Sequence, residues 1–167
     1  YIIVPAELSS NLARYDGVRY GHRAAEVKTL AELYGRSSDE GFMTENKRRI
    51  MIGSFVLSSG FFDAYYMQAQ KARTLLINEF NQLFAEYDAL LMPVAPTPAF
   101  KLDENTNDPI KMYLSDIMTV PASLAGLPAI SVPAGSNDEG LPIGVQLVGN
   151  YRSDGSLLKL AAEVEAS

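Results

Sequence analysis

The sequence contains no cysteine and a single histidine, His22, among its 167 residues. Without cysteine there can be no disulfide framework and no metal site built on thiolates. A tetrahedral zinc site would then need carboxylates at nearly every position, so we expect no metal in this chain. A nucleophilic serine paired with histidine would have to use His22, whose place beside Arg23 is more typical of a surface residue.

Long apolar runs and an excess of positive charge are also missing. No run of about 18 apolar residues occurs, so the sequence predicts no membrane-spanning helix. The formal net charge is −6, which argues against direct binding of nucleic acid because phosphate contacts need clustered lysine and arginine. Taken together, these absences favour a cytoplasmic protein that contacts neither a membrane nor, by its own surface, nucleic acid.

What the sequence does have is enough apolar material for a core, since 47% of its residues are hydrophobic and 20% are charged. A chain of this length normally forms one domain. Residues 1–4 resemble a strand already under way, and an apolar helical pattern over residues 157–166 has no stop signal after it. We therefore expect residues 1–167 to be a single domain or a fragment of a larger one.

Apolar residues at three- and four-residue spacing predict helices, and short apolar runs between turn formers predict strands. The predicted helices cover residues 5–14, 30–34 after a cap at Thr29, 45–87 with a break at 58–60, and a last segment capped by Asp154. The predicted strands are residues 1–4, a buried strand at 90–92, and the neighbouring pair 129–132 and 143–148. Residues 37–43 and the proline-rich 93–98 are predicted as loops. This mixture predicts an α/β fold, with a mixed β-sheet flanked by helices.

Several short motifs follow one another along nearly the whole chain. They are SNLARYDGVRYG at residues 10–21, EGF at 40–42, KRRI at 47–50, DAYY at 63–66, MY at 112–113, Asp116, LAGLP at 124–128 and GLPIG at 140–144. In this order they resemble the amidase-signature family, and within it the glutamine-hydrolysing A subunits of tRNA-dependent amidotransferases. Two positions depart from the pattern, because Met43 stands where glycine is usual and Ala134 where cysteine is common.

The resemblance implies that the chain is the C-terminal portion of the amidase-signature fold. Enzymes of this family use a Ser–cis-Ser–Lys triad whose residues precede the region present here, so the catalytic N-terminal part would be absent. The resemblance thus implies no catalytic residue in this chain. The local alternative, Ser58-Ser59-Gly60, is better explained as a small-residue break between helical turns.

Two charged residues are the candidates for substrate binding. By the resemblance, Arg49 would bind the α-carboxylate of glutamine and Asp116 its α-ammonium group. A guanidinium suits a carboxylate because its planar fork donates two parallel hydrogen bonds. Without the resemblance, solvated surface charges would be the better interpretation, since most charged residues are solvated. A polar cluster beside Gly17 either lines the mouth of the site or staples a loop; its members are Asn11, Arg14, Asp16 and Arg19.

The resemblance also implies partners. The full subunit would release ammonia from glutamine, and a partner subunit using ATP and magnesium would transfer it to misacylated glutamyl- or aspartyl-tRNA. The implied partners are the missing N-terminal half, subunits B and C, glutamine, and tRNA only through the complex, with no cofactor in this chain.

Two other functions remain open from the sequence. The chain could belong to a different amidase-signature amide hydrolase, although the pair Arg49 and Asp116 argues against aryl or fatty amide substrates. It could also be a non-catalytic α/β interaction module.

Overall fold

The computed structural model describes residues 1–102, 104 and 108–166. Contacts group the chain into two compact units, Tyr1–Ala72 and Arg73–Ser167. The helices, in chain order, are α1 (Ile3–Leu12), α2 (Leu30–Gly41), α3 (Thr44–Val56), a π-helix (Phe62–Met67), α4 (Gln68–Leu83), α5 (Pro109–Leu114), α6 (Val120–Ala125) and α7 (Asp154–Glu165). The strands are β1 (Ala89–Pro93), β2 (Ala129–Ser136) and β3 (Pro142–Gly149). That both units belong to one domain stays a prediction.

The first unit is helical, and α1 packs directly against α3. Ile3, Pro5 and Ala6 of α1 are buried, as are Gly53 and Val56 of α3. A methyl group on Gly53 would lie 2.6 Å from the carbonyl carbon of Pro5, so glycine lets the two backbones approach each other closely. This contact fixes α3, the helix that carries Arg49.

The prediction of a strand over residues 1–4 is wrong, because α1 has already begun at Ile3. Burial of one helical face against α3 outweighs the β propensity of this apolar run. Pro5 is accommodated because the N–H groups of a first helical turn have no partner within the helix.

The N-terminal cap of α2 is confirmed, since Thr29 Oγ1 accepts a hydrogen bond of 3.1 Å from the backbone N–H of Glu32. The predicted end at residue 34 and the predicted loop at 37–43 are wrong, because α2 continues to Gly41. Ser37 lies in the interior, and its hydroxyl oxygen accepts a 3.0 Å hydrogen bond from the backbone N–H of Ala24. That long-range contact stabilises a helix whose local composition favours a loop.

The break predicted at residues 58–60 is confirmed. Helix α3 ends at Val56, and Gly60 has a φ of 89°. The chain resumes as a π-helix, which sequence patterns did not predict, and then as α4. Aromatic rings from the two sides of the break pack against each other, with the centroids of Phe55 and Phe61 4.2 Å apart.

The second unit contains a three-stranded sheet in the order β1-β3-β2. The α/β fold class is confirmed; a mixed sheet is the sequence expectation, and both strand pairs described here are antiparallel. Helix α7 packs on one face of the sheet. Its Leu157 and Ala161 form a buried cluster with Val132 and Leu147 of the strands.

Several details of this unit differ from the sequence predictions. Helix α4 ends at Leu83 rather than at residue 87, and Pro93, predicted as part of a loop, is the last residue of β1. The prediction that β1 is buried is wrong, since Leu91 is 61% exposed. Among the described strands β1 pairs only with β3, so it lies at the edge of the sheet. Asp154 is the first residue of α7 rather than its cap, and Ser153 occupies the capping position.

No helix in the described ranges is both long enough and apolar enough to cross a bilayer.

Candidate functional site

Arg49 lies on α3 in a row of three consecutive cations that are bound by two carboxylates. Glu45 accepts hydrogen bonds from both arginines, at 2.6 Å from Nη1 of Arg48 and 2.9 Å from Nε of Arg49. The ammonium of Lys47 lies 2.5 Å from Oδ1 of Asp39. The row therefore carries little net charge, which fits poorly with a phosphate-binding surface. The Arg49 side chain is 34% exposed, so a ligand can reach it from solvent.

The contact between Lys47 and Asp39 changes the acidity of the carboxyl. A hydrogen bond from Lys47, supported by its positive charge, holds the pKa of Asp39 below its ordinary value. The pKa of Glu40 is lowered in a similar way, first by a hydrogen bond from His22 and then by one from Arg36.

Replacing Lys47 with methionine is expected to raise the pKa of Asp39 toward its ordinary value, because the hydrogen bond and the charge that favour the carboxylate are both removed. A lowered pKa stabilises the folded state above the pH at which the unfolded carboxyl titrates, and this contribution is lost as the pH falls. Carbon NMR titration of the carboxyl measures the shift. The pKa of Glu40 is the internal control and should not move. An unchanged pKa of Asp39 would mean that the ion pair does not form in solution.

A cleft of about 580 Å³ opens in the first unit between α1, α2 and α3. Its walls combine apolar side chains with a few polar ones, namely Ser9, Leu12, Tyr15, Asp16, Ser38, Asp39, Phe42, Lys47, Ile50, Met51 and Ser54. Of the four polar residues predicted to lie near the site, Asp16 lines this cleft. Asn11, Arg14 and Arg19 are exposed and are not among its lining residues, and neither is Arg49.

Asp16 also staples the loop that follows α1. Its Oδ1 accepts a 2.8 Å hydrogen bond from the backbone N–H of Val18. The intervening Gly17 has a φ of 79°, and a methyl group there would lie 2.5 Å from the hydroxyl oxygen of Ser37. Only glycine fits this buried turn without strain. Loop stapling is therefore observed for Asp16, while contact of this cluster with a ligand stays a prediction.

Asp116 lies in the second unit, on the turn between α5 and α6. Its backbone carbonyl accepts three hydrogen bonds, from the N–H and the hydroxyl of Thr119, both at 3.1 Å, and from the N–H of Val120 at 3.2 Å. Its carboxylate is exposed and has no hydrogen bond or ion pair with any residue that the structure describes. A carboxylate on a fixed main chain, open to solvent, is well suited to bind a cationic group.

Gln146 is a residue of this region that sequence patterns missed. It lies on the central strand β3 and is only 3% exposed. Its side-chain Nε2 donates hydrogen bonds to the backbone carbonyls of Met118, at 2.7 Å, and Pro93, at 3.1 Å. The available signal was a polar residue between Val145 and Leu147 in a strand that is otherwise apolar or glycine.

Three of the hydroxyl and imidazole groups that could be taken for catalytic residues make contacts within the first unit. The hydroxyl of Ser58 donates to the carbonyl of Phe55 at 2.7 Å, and that of Ser9 donates to Ala6 at 2.8 Å. Nε2 of His22 lies 2.9 Å from a carboxylate oxygen of Glu40. The residues that the structure describes contain no group of three or more side chains suited to hold a metal ion.

Arg49 belongs to the first unit and Asp116 to the second. Each environment is defined within its own unit. That the two residues bind one ligand together stays a prediction.

Comparison with known proteins supports the family resemblance that the motifs indicate. The A subunit of glutamyl-tRNA(Gln) amidotransferase from Koribacter versatilis is 54% identical over 165 residues, covering 99% of this chain and 34% of that protein. The protein of the same name from Cupriavidus necator is 56% identical over 161 residues, covering 96% of this chain and 32% of that protein. The chain thus spans about a third of the length of the curated relatives it matches.

Solved structures show the same relationship in three dimensions. The A subunit of glutamyl-tRNA(Gln) amidotransferase from Thermotoga maritima superimposes with a TM-score of 0.61 at 35% identity, covering 99% of this chain and 38% of that one. A 6-aminohexanoate cyclic dimer hydrolase has a TM-score of 0.67 at 20% identity, covering 98% of this chain and 33% of that one, and shows the fold alone. The sequence pattern of the Amidase family matches residues 1–158. This match spans both compact units, and the chain belongs to the Amidase family, as its ordered motifs predict.

Proposed function

We propose that this chain is the glutamine-recognition part of the ammonia-releasing A subunit of a tRNA-dependent amidotransferase. The observation that carries the proposal is the identity of 54–56% to proteins named as A subunits of glutamyl-tRNA(Gln) amidotransferase, over at least 96% of this chain. Among the solved structures compared, the A subunit from Thermotoga maritima is 35% identical to this chain and an aryl acylamidase is 22% identical.

The substrate proposal depends on the charges of free glutamine. Its α-carboxylate suits the planar guanidinium of Arg49, whose Nε is already oriented by Glu45 at 2.9 Å. Its α-ammonium suits the carboxylate of Asp116, which has no described protein partner. A neutral aryl or aliphatic amide offers neither charge, so a site that recognises both ends favours a free amino acid.

The reaction itself would use residues outside this chain. A serine activated by a lysine through a bridging serine would attack the side-chain amide carbon of glutamine. The leaving nitrogen would take a proton and depart as ammonia, and water would then release glutamate from the acyl-enzyme. Ammonia would pass to the partner that uses ATP and magnesium to activate the acyl group on tRNA. On this proposal the chain works in the cytoplasm with its N-terminal half and with subunits B and C.

Replacing Asp116 with asparagine in the complete enzyme is expected to raise the KM for glutamine about tenfold or more, because hydrogen bonds to charged groups contribute roughly 1.5–3 kcal/mol. The kcat should change little, since the aspartate is not proposed to take part in bond breaking. Glutamate release measured over a range of glutamine concentrations separates the two constants.

The matched control is Asp138→Asn, which removes another exposed carboxylate of the same unit, in the loop between β2 and β3. It should leave both constants unchanged. A KM for glutamine that is unaltered by Asp116→Asn would contradict the proposed function.

A further inference from the structure

We propose that Gln146 is the positioning residue that sets the location of Asp116. Its buried side-chain amide ties the turn that carries the aspartate to the central strand of the sheet. The effect on ligand binding rests on the function proposed above. The link between strand and turn rests only on geometry within the second unit.

The orientation of the Gln146 amide is determined by its partners. Both atoms within hydrogen-bond distance are backbone carbonyl oxygens, those of Met118 and Pro93. A carbonyl can only accept, so the NH₂ group of the glutamine must face them. With 3% of the residue exposed, water has little access to replace these two bonds. An apolar side chain of similar size would leave both carbonyls without these donors.

The contact with Met118 also constrains the position of Asp116, because hydrogen bonds fix the turn that contains both residues. The backbone N–H groups of Thr119 and Val120, on the far side of Met118, both donate to the carbonyl of Asp116. The hydroxyl of Thr119 donates to the same oxygen at 3.1 Å. Residues 116–120 therefore behave as one closed turn. Holding the Met118 carbonyl in place also holds the base of the aspartate side chain.

The hydrogen bond from Gln146 to the carbonyl of Pro93 connects the same amide to the end of strand β1. Pro93 ends β1 and pairs with Val145, the residue before Gln146. One amide thus joins the end of β1, the centre of β3 and the turn between α5 and α6. The turn belongs to no strand, so losing the amide removes this link between the turn and the sheet.

The opposite face of the sheet supplies a control. Side chains alternate along a strand, and Val145 and Leu147 pack toward α7, so Gln146 projects from the other face. Leu157 of α7 is buried in the cluster that contains Leu147. A change at Leu157 weakens the same unit without touching the turn.

The test is Gln146→Leu in the complete enzyme with its partner subunits, together with Leu157→Ala as the control. Gln146→Leu should raise the KM for glutamine about tenfold and change kcat by less than about twofold. A tenfold rise is the size expected when the misplaced Asp116 no longer accepts a hydrogen bond from the charged ammonium of glutamine. Leu157→Ala should lower the unfolding temperature with an unchanged KM. If Gln146→Leu fails to fold, Gln146→Asn keeps an amide but withdraws it from both carbonyls, and the same rise in KM is expected.

The double variant Gln146→Leu with Asp116→Asn decides how the residue acts. If Gln146 works through Asp116, the double variant has the KM of Asp116→Asn alone, because the misplaced carboxylate is already gone. If the increases in KM of the two single variants multiply in the double variant, the positioning role is overturned and the proposed function stays intact. The same holds if Asp116→Asn raises the KM and Gln146→Leu leaves it unchanged. If Asp116→Asn has no effect on KM, the proposed function fails and the positioning role falls with it.

Discussion

Replacing Arg49 with alanine in the complete enzyme is expected to raise the KM for glutamine about ten- to a hundredfold, because charge-assisted hydrogen bonds contribute roughly 1.5–3 kcal/mol. Hydrolysis of small neutral amides should be spared, since they have no α-carboxylate for a guanidinium to bind. The contrast between the two substrates is the informative quantity. A general structural defect would slow both reactions, whereas loss of carboxylate recognition affects only glutamine.

The neighbouring Arg48 is a close control for this experiment. It lies on the same helix, is 47% exposed and donates to the same carboxylate of Glu45. Arg48→Ala therefore removes an equal charge and a similar surface ion pair, which by itself contributes about 0–1 kcal/mol. It should leave the KM for glutamine unchanged. Equal effects from the two substitutions would show that the charge of the row, and not the position of Arg49, determines binding.

The second large effect is expected from Gly53→Ala, which should lower the free energy of unfolding by about 1–3 kcal/mol, the usual range for overpacking a tight contact. The added methyl group would overlap the carbonyl oxygen of Pro5 and lie 2.8 Å from Cβ of Ser9. A backbone carbonyl cannot rotate away as a flexible side chain can, so α1 must shift relative to α3. The better helix propensity of alanine, about 1 kcal/mol, offsets only part of this cost.

Gly35→Ala, on α2, is the control for Gly53→Ala and is expected to stabilise the fold. No heavy atom lies within 4 Å of a methyl group placed there, so the substitution gains helix propensity without a clash. It should raise the free energy of unfolding by up to about 1 kcal/mol. Urea unfolding of both variants measures the difference. If Gly53→Ala also proved stabilising, the close approach of α1 and α3 would be incorrect.

The features that the sequence predicts well are those set by local chemistry. The cap at Thr29 depends on a hydroxyl three residues from its partner, and the break before the π-helix follows from two serines and a glycine. The first turn of α1 and the second half of α2 could not be predicted in this way. Both are stabilised by distant contacts, of Pro5 with Gly53 and of Ser37 with Ala24. Local propensity is a weak guide where tertiary packing opposes it.

The candidate site shows the same division. Arg49 and Asp116 are candidates because they stand in recognisable motifs, and nothing in their spacing alone distinguishes them from solvated charges. Gln146 has no such motif. Its partners lie 53 and 28 residues away in the chain, and only the folded sheet brings them together. A buried side chain that supports a loop is visible in the structure and largely invisible in the sequence.

The π-helix at Phe62–Met67 has a consequence for how the length of this segment can vary. A wide turn holds about one residue more than a regular α-helical turn, and such turns occur mostly as single turns within or beside α-helices. Deleting one residue there would convert the wide turn to an ordinary one and leave the rotational phase of α4 unchanged. Gaps of one position in alignments of related proteins should therefore be tolerated at this place, whereas the same gap inside α4 would turn its core-facing Phe80 by about 100°.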